Sequence, residues 1–234
     1  MEHKRLTLFA GHYGSGKTNI AVNYALLLAA EGKKVCIADL DIVNPYFRTA
    51  DSAKVLADAG VTLVSPQYAN SNVDLPALPA EAYRLVQDKN TYGIMDIGGD
   101  DRGAYALGRY VPAILEENNY RMVFVANCYR PLTRTPEEAL EVMREIEAAC
   151  GLPFTHIVNN SNLASETTPE TVLSSLSYMD ALSRLSGLPL LAHTAMASVA
   201  DALPALPEPV IPLQLQEKYF DLPSQKPVNR PLWG

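Results

Sequence analysis

An α/β fold, a mostly parallel twisted sheet with helices on both faces, is predicted by three observations. Short runs rich in β-branched and aliphatic residues alternate with longer stretches of helical period, the pattern of repeated strand–helix–strand units. Gly32, Gly60, Gly151 and Gly187 stand where helices pass into strands, the place for a left-handed residue that closes a helix. Thr135-Pro136-Glu137-Glu138 and Thr168-Pro169-Glu170 mark helix starts, each with a hydroxyl at the cap and a proline in the first turn.

In chain order, strands are expected at Leu6–Ala10, Val35–Asp39, Val61–Ser65, Tyr92–Asp96, Arg121–Asn127, Thr155–Asn159 and Pro189–His193. The helix after the first strand carries Ile20, Tyr24, Leu27 and Leu28 on one face, so that face should be buried. From Leu203 onward the helical period fades and Pro204, Pro207, Pro209, Pro212, Pro223, Pro227 and Pro231 follow. Residues 1–203 are therefore read as one α/β domain and 204–234 as an extended tail. Trp233 favours a tail that packs on its own domain over one that reaches a partner, because isolated exposed tryptophan is uncommon.

With 48% hydrophobic and 19% charged residues the chain can bury a sizeable core. The net charge of −7, from 19 Lys plus Arg against 26 Asp plus Glu, disfavours nucleic acid or anionic lipid as partners, since both need a positive surface. The longest apolar run, Tyr24 to Ala30, falls far short of the roughly 20 residues that cross a bilayer. Glu2, His3, Lys4 and Arg5 lead straight into a strand, so neither a membrane span nor a signal peptide is expected. Cys36, Cys128 and Cys150 lie far apart with no C-x-x-C pair, and are read as structural thiols of a reducing cytoplasm.

The strongest signal is Gly11-His12-Tyr13-Gly14-Ser15-Gly16-Lys17-Thr18, a full match to G-x-x-x-x-G-K-[ST] between a strand and a helix. Glycines let such a loop wrap phosphates so that backbone N–H groups and the helix N-terminus face the anion; Lys17 would reach the β- and γ-phosphates and Thr18 would ligate Mg²⁺. Two acidic sites follow at later strand tips, where open α/β sheets bind ligands: Asp39-Leu40-Asp41, and Asp96-Ile97-Gly98-Gly99 in a D-x-x-G pattern. An aspartate at the position of Asp96 can hold Mg²⁺ through water, and Gly99 can offer its N–H to a γ-phosphate.

Phosphate loop, D-x-D, D-x-x-G and a later strand ending in Asn resemble, in this order, the MinD/ParA/nitrogenase-iron-protein branch of P-loop ATPases, the CobQ/CobB/MinD/ParA nucleotide-binding domain. The resemblance spans roughly residues 5 to 203. It implies a P-loop NTPase fold and ATP-driven homodimers that switch protein partners or insert metal cofactors. It also implies that Gly14 to Thr18 cradle phosphates and Mg²⁺, with Gly11 and Asn19 flanking them. Asp41 would orient the attacking water, and Asp39 or Asp96 would hold the metal's water shell. The run Asp39 to Arg48, with Asp96 to Ala104, looks like an uncharacterised bacterial subgroup of this class.

One departure matters. The family's loop reads K-G-G-x-G-K-[ST], its first lysine reaching the partner's phosphates across the dimer, and here that position is His12, followed by Tyr13. Another cation would have to supply that charge, and Arg48, Arg102 and Arg130 are the loop candidates.

ATP is expected over GTP, because a guanine-reading N-K-x-D needs a carboxylate where the chain has Asn162. The resemblance points to Asn159, or failing it Asn160, for the adenine. The leading expectation is a Mg²⁺-dependent ATP-binding switch, a slow ATP hydrolase acting on a protein partner, with Lys17, Asp41 and Asp39 as the catalytic set. An ATP-dependent small-molecule kinase or ligase is the competing class, its acceptor site to be built from the loop 66–79 and Arg130 to Arg134. A GTP-dependent nickel-insertion factor is disfavoured by the lack of a His/Cys-rich segment and of N-K-x-D.

Overall fold

The computed structural model describes residues 3–41, 49–65, 82–98, 105 and 107–214. Its strands are β1 (Leu6–Ala10), β2 (Val35–Leu40), β3 (Thr62–Val64), β4 (Tyr92–Ile97), β5 (Tyr120–Ala126), β6 (His156–Asn159), β7 (Leu190–Met196) and β8 (Val210–Leu213). The helices are α1 (Lys17–Ala30), α2 (Ala53–Asp58), α3 (Ala82–Gln87), α4 (Val111–Glu117), α5 (Pro136–Cys150), α6 (Pro169–Leu173), α7 (Leu176–Ser186) and α8 (Ala197–Ala200).

All strands join one eight-stranded sheet in the order β3-β2-β4-β1-β5-β6-β7-β8, and each adjacent pair is parallel. The pleat explains the burial on both faces. Leu6, Leu8 and Ala10 of β1 pack with α3, α4, α5 and α7, whereas Phe9 turns to the other side and packs with α1 and Leu56 of α2. A parallel sheet covered in this way needs apolar residues at successive positions, which is how Leu6–Ala10 reads.

Every strand read from the sequence is present, Leu6–Ala10 with the same bounds and the others with ends shifted by at most three residues. The sequence reading missed β8, which lies inside the proline-rich stretch. Its proline is tolerable because β8 is an edge strand: Pro212 sits opposite Ala195 of β7, and an edge position does not require the missing N–H to be paired on its outer side. Asn23 of α1 fixes this strand's end, donating from Nδ2 to the Gln214 carbonyl at 2.9 Å and accepting the Gln214 N–H at 2.9 Å. Residues 215–234 of the expected tail lie outside the described residues.

One face assignment needs correction. Leu27, expected on the buried side of α1, is 42% exposed; the buried stripe runs through Ile20, Ala21, Tyr24, Ala25 and Leu28, the i, i+4, i+8 line of a helix flat against a sheet. The capping signals hold. Thr135 accepts the Glu138 N–H while Glu138 reaches back, and Thr168 makes the same box with Thr171. Among the described residues no helix is long and apolar enough to cross a membrane.

Candidate functional site

Because the strands are parallel, their C-terminal ends share one edge, and β1, at the centre, delivers its loop between the ends of β4 and β5. The loop presses against β5 so closely that a Cβ on Gly11 would lie 2.6 Å from the Val125 carbonyl oxygen. Gly14 and Gly16 have φ of 76° and 88°, a left-handed backbone that only glycine enters without strain. Gly16 caps α1 with no side-chain acceptor, so the helix presents its first N–H groups to an anion rather than to its own chain.

Acidic residues from β2 and β4 meet this loop. Asp39 stands opposite Asp96 in the parallel register, and the Asp39 carboxylate accepts the Asp41 N–H at 3.0 Å, which turns the chain so that Asp41 faces the loop. Lys17 Nζ lies 3.0 Å from Asp41 Oδ2, with Lys17, Asp39, Asp41 and Asp96 all buried. Thr49 donates its hydroxyl to Asp96 Oδ2 at 3.0 Å. Burial, reinforced by the Asp41 charge, pushes the Asp96 carboxyl above the usual carboxylate range, against the pull of Lys17 and the Thr18 and Thr49 hydroxyls. Sequence reasoning missed Thr49, which belongs to no motif and reaches Asp96 only through the fold.

The loop after β6 closes the other side, and the two adjacent asparagines part company there. Asn159 donates from Nδ2 to Ser175 Oγ at 2.8 Å and His193 Nδ1 at 3.0 Å, and accepts the Ser161 N–H at 3.0 Å, so its amide is engaged inside the protein. Asn160 instead crosses to the phosphate loop, donating to the Ser15 carbonyl at 2.6 Å and accepting the Thr194 hydroxyl at 2.6 Å. A cavity of about 410 Å³ opens over the loop, floored by Gly14, Gly16, Lys17, Thr18 and Asn19. Its walls are Tyr13, Arg130, Asn160, Asn162, Ala164 and Thr167 on one side and Ala195, Met196 and Leu213 on the other.

Several predicted residues thus converge: Gly11, Gly14, Ser15, Gly16, Lys17, Thr18, Asn19 and Asn160 at the loop, with Asp39, Asp41 and Asp96 beside it. Asn159 is not among the residues lining the cavity. Gly99, Asp100, Asp101, Arg48, Arg102 and the loop 66–79 lie outside the described residues. Met196 and Leu213 were not read as site residues; their place depends on strand order, which no local motif encodes.

Oxygen ligands near the phosphate floor suit a hard cation such as Mg²⁺, which takes few protein ligands and completes its shell with phosphate and water. Thr18 and Asp96, in contact through the threonine hydroxyl, fit that demand. Among the described residues no cluster of three or more His, Cys, Asp or Glu forms a separate metal site. The three cysteines are unpaired, and burial pushes the Cys36 thiol up to about 11.

Solved structures share this architecture. The cell division protein FtsY of Thermotoga maritima superposes with a TM-score of 0.55 at 18% identity, over 81% of this chain and 61% of that one. The signal recognition particle receptor FtsY of Elizabethkingia anophelis, in complex with GDP, gives 0.51 at 18%, over 83% and 58%. The chloroplast FtsY of Physcomitrella patens gives 0.51 at 17%, over 81% and 58%. The chain spans about three fifths of the length of these proteins, and identity this low shows the fold alone. No curated protein matches the sequence. The model of the CobQ/CobB/MinD/ParA nucleotide binding domain matches residues 6–170, which takes in β1, the phosphate loop, both acidic strand tips and the asparagine loop; the chain belongs to that family of P-loop nucleotide-binding proteins.

Proposed function

We propose that the chain is a Mg²⁺-dependent ATP-binding protein and slow ATPase that works as a nucleotide-controlled switch, or as a cofactor-maturation factor, on a protein partner. The observation that carries this reading is the Lys17–Asp41 ion pair. A nucleotide that takes Lys17 for its phosphates must draw it from Asp41, so the charge partner of Asp41 is coupled to the occupancy of the site. Such exchange of a charge partner is how a local phosphate contact biases a segment between two states.

ATP is favoured over GTP by the walls of the cavity. Guanine is read by a carboxylate that accepts its N1 and N2 hydrogens, and among the described residues lining the cavity there is no Asp or Glu. At the corresponding place Asn162 is fixed, accepting the Ala164 N–H at 3.1 Å and donating to the Asn160 carbonyl at 2.7 Å. Asn160, which faces the cavity, is the better of the two candidates for the base or sugar; Asn159 supports the wall behind it.

In this site Lys17 would neutralise and position the terminal phosphates, Asp41 would orient the water that attacks, and Thr18 with Asp96 or Asp39 would hold the metal. Bound Mg²⁺ would neutralise charge developing on the phosphate oxygens. The unpaired cysteines suit a reducing compartment such as the cytoplasm.

Light scattering on the purified chain with and without MgATP, together with phosphate release, tests the switch. A doubling of mass with ATP, slow turnover and reversal with ADP support it. Constant mass, with turnover that requires an added metabolite, would replace it by a small-molecule kinase or ligase.

A further inference from the structure

We propose that Arg130 is a second phosphate-binding cation of this site, reaching the nucleotide's terminal phosphates from within the same chain and supplying the charge that His12 leaves missing. The inference rests on the nucleotide-binding reading above and goes beyond it by naming the residue and its target.

The phosphate loop itself offers no second cation. The His12 ring is engaged by the neighbouring Tyr13 carbonyl, with Nδ1 at 3.0 Å, and Tyr13 is 55% exposed. Arg130 arrives from the loop after β5 instead. A Cβ on Gly14 would lie 3.5 Å from Arg130 Nε, 3.6 Å from Cζ and 3.7 Å from Cδ, so the guanidinium lies against the middle of the phosphate loop, at a position where the loop has no side chain to exclude it. Among the described residues lining the cavity, Lys17 and Arg130 are the cations, and Lys17 is shared with Asp41.

Two features separate this arrangement from a surface arginine that happens to lie nearby. Arg130 Nε is buried and makes no hydrogen bond within the described residues, an N–H in need of an acceptor. The loop that carries it is also fixed by hydrogen bonds of its own. The Arg130 N–H donates to the Asn127 carbonyl at 3.2 Å and the Arg130 carbonyl accepts the Thr133 N–H at 3.1 Å. The Thr133 hydroxyl donates to the same Asn127 carbonyl at 2.7 Å, and the Cys128 N–H donates to Ser161 Oγ at 3.2 Å. A planar, permanently charged fork held in this way loses little freedom on meeting a phosphate, whose oxygens match its spacing.

The test is calorimetric titration of wild type, Arg130→Ala, Arg130→Lys and Lys17→Ala with MgATP, MgADP and adenosine, with thermal melts of each nucleotide-free variant as the folding control. Arg130→Ala should melt like wild type and weaken MgATP by ~10- to 100-fold, the range for one charge-assisted contact. MgADP should be weakened less and adenosine left unchanged, and Arg130→Lys should recover part of the loss. MgATP affinity within twofold of wild type in Arg130→Ala, while Lys17→Ala has lost binding, would overturn the role of Arg130 and leave the nucleotide reading standing. An equal loss for adenosine would also overturn it, because the arginine would then be touching the base. Failure of the wild type to bind any nucleotide would remove the nucleotide reading, and this inference with it.

Discussion

Lys17 and Asp41 face each other at 3.0 Å with both side chains almost wholly buried, so the cation that a phosphate would use is already neutralised by an acid at the tip of β2. Asp41→Asn frees Lys17 and should tighten MgADP and MgATP by about tenfold, since a bound phosphate no longer has to separate a buried pair. If Asp41 orients water, turnover should fall in the same variant by roughly 10²-fold or more. Calorimetry against phosphate release reads both, and weaker nucleotide binding would show that Asp41 helps hold the ligand.

Removing Lys17 alone leaves the Asp41 charge without its cation in a dry site. Lys17→Ala should therefore lose nucleotide binding and also destabilise the chain by about 3–5 kcal/mol. Adding Asp41→Asn should restore most of the stability and none of the binding. Urea unfolding of the two variants separates these effects; a double variant no more stable than the single one would show that the pair is not what the burial strains.

Asp96 has a carboxyl raised to about 6, chiefly by burial. The folded chain then keeps a proton that the unfolded chain gives up near pH ~3.9. Stability from this group is present at low pH and is lost as pH rises from about 4 to about 6, above which the carboxylate is charged in both states. Asp96→Asn should accordingly melt higher than wild type at pH 7, with a flatter pH profile between those limits. The same change should abolish the gain in nucleotide affinity on adding Mg²⁺. A lower melting temperature at pH 7 would mean that the charge is better compensated than its burial implies.

Asn159 and Asn160 are adjacent in sequence and should behave differently. Asn159→Ala leaves Ser175, His193 and the Ser161 N–H short of a partner and should cost about 1–3 kcal/mol of stability, with nucleotide affinity close to wild type. Asn160→Ala cuts the tie between β6 and the Ser15 carbonyl and should weaken nucleotide more than it lowers the melting temperature. The reverse pattern would put Asn159 at the ligand.

His193 links this wall to acid. Its Nδ1 accepts from Asn159, so Nε2 carries the proton, 3.5 Å from a Glu208 carboxylate oxygen. Burial holds its pKa below the ordinary value, against the pull of Glu208. Stability from the neutral ring is therefore present above about pH 6.5 and lost as pH falls through the folded value. His193→Gln should reduce the acid sensitivity of the melting temperature below that pH; an unchanged profile would assign the sensitivity elsewhere.

What could be read in the sequence follows from how local the cause is. The phosphate loop, the capping threonines and the helix-closing glycines act within a few residues, and the run Leu6–Ala10 announces burial on both faces, so the fold class and the floor of the site were legible. The walls were not. Leu27 and Leu28 are equally apolar, and only the angle of α1 on the sheet decides which one is exposed. Val210–Leu213 looks like tail until β7 provides an edge for it. Thr49 meets Asp96, and Arg130 meets Gly14, through strand order alone. Asn159 and Asn160 point to opposite sides because successive residues of an extended chain do so, and spacing could not say which one faces the ligand.

The most direct measurement is titration of the wild-type chain with MgATP and MgGTP under identical conditions. MgATP should bind, and MgGTP should bind at least tenfold more weakly, as expected of a site where Asn162 stands in place of the carboxylate that reads guanine. Equal or tighter binding of MgGTP would contradict the adenine assignment, and no binding of either would contradict the reading of Lys17, Asp41 and the phosphate loop as a nucleotide-operated pair.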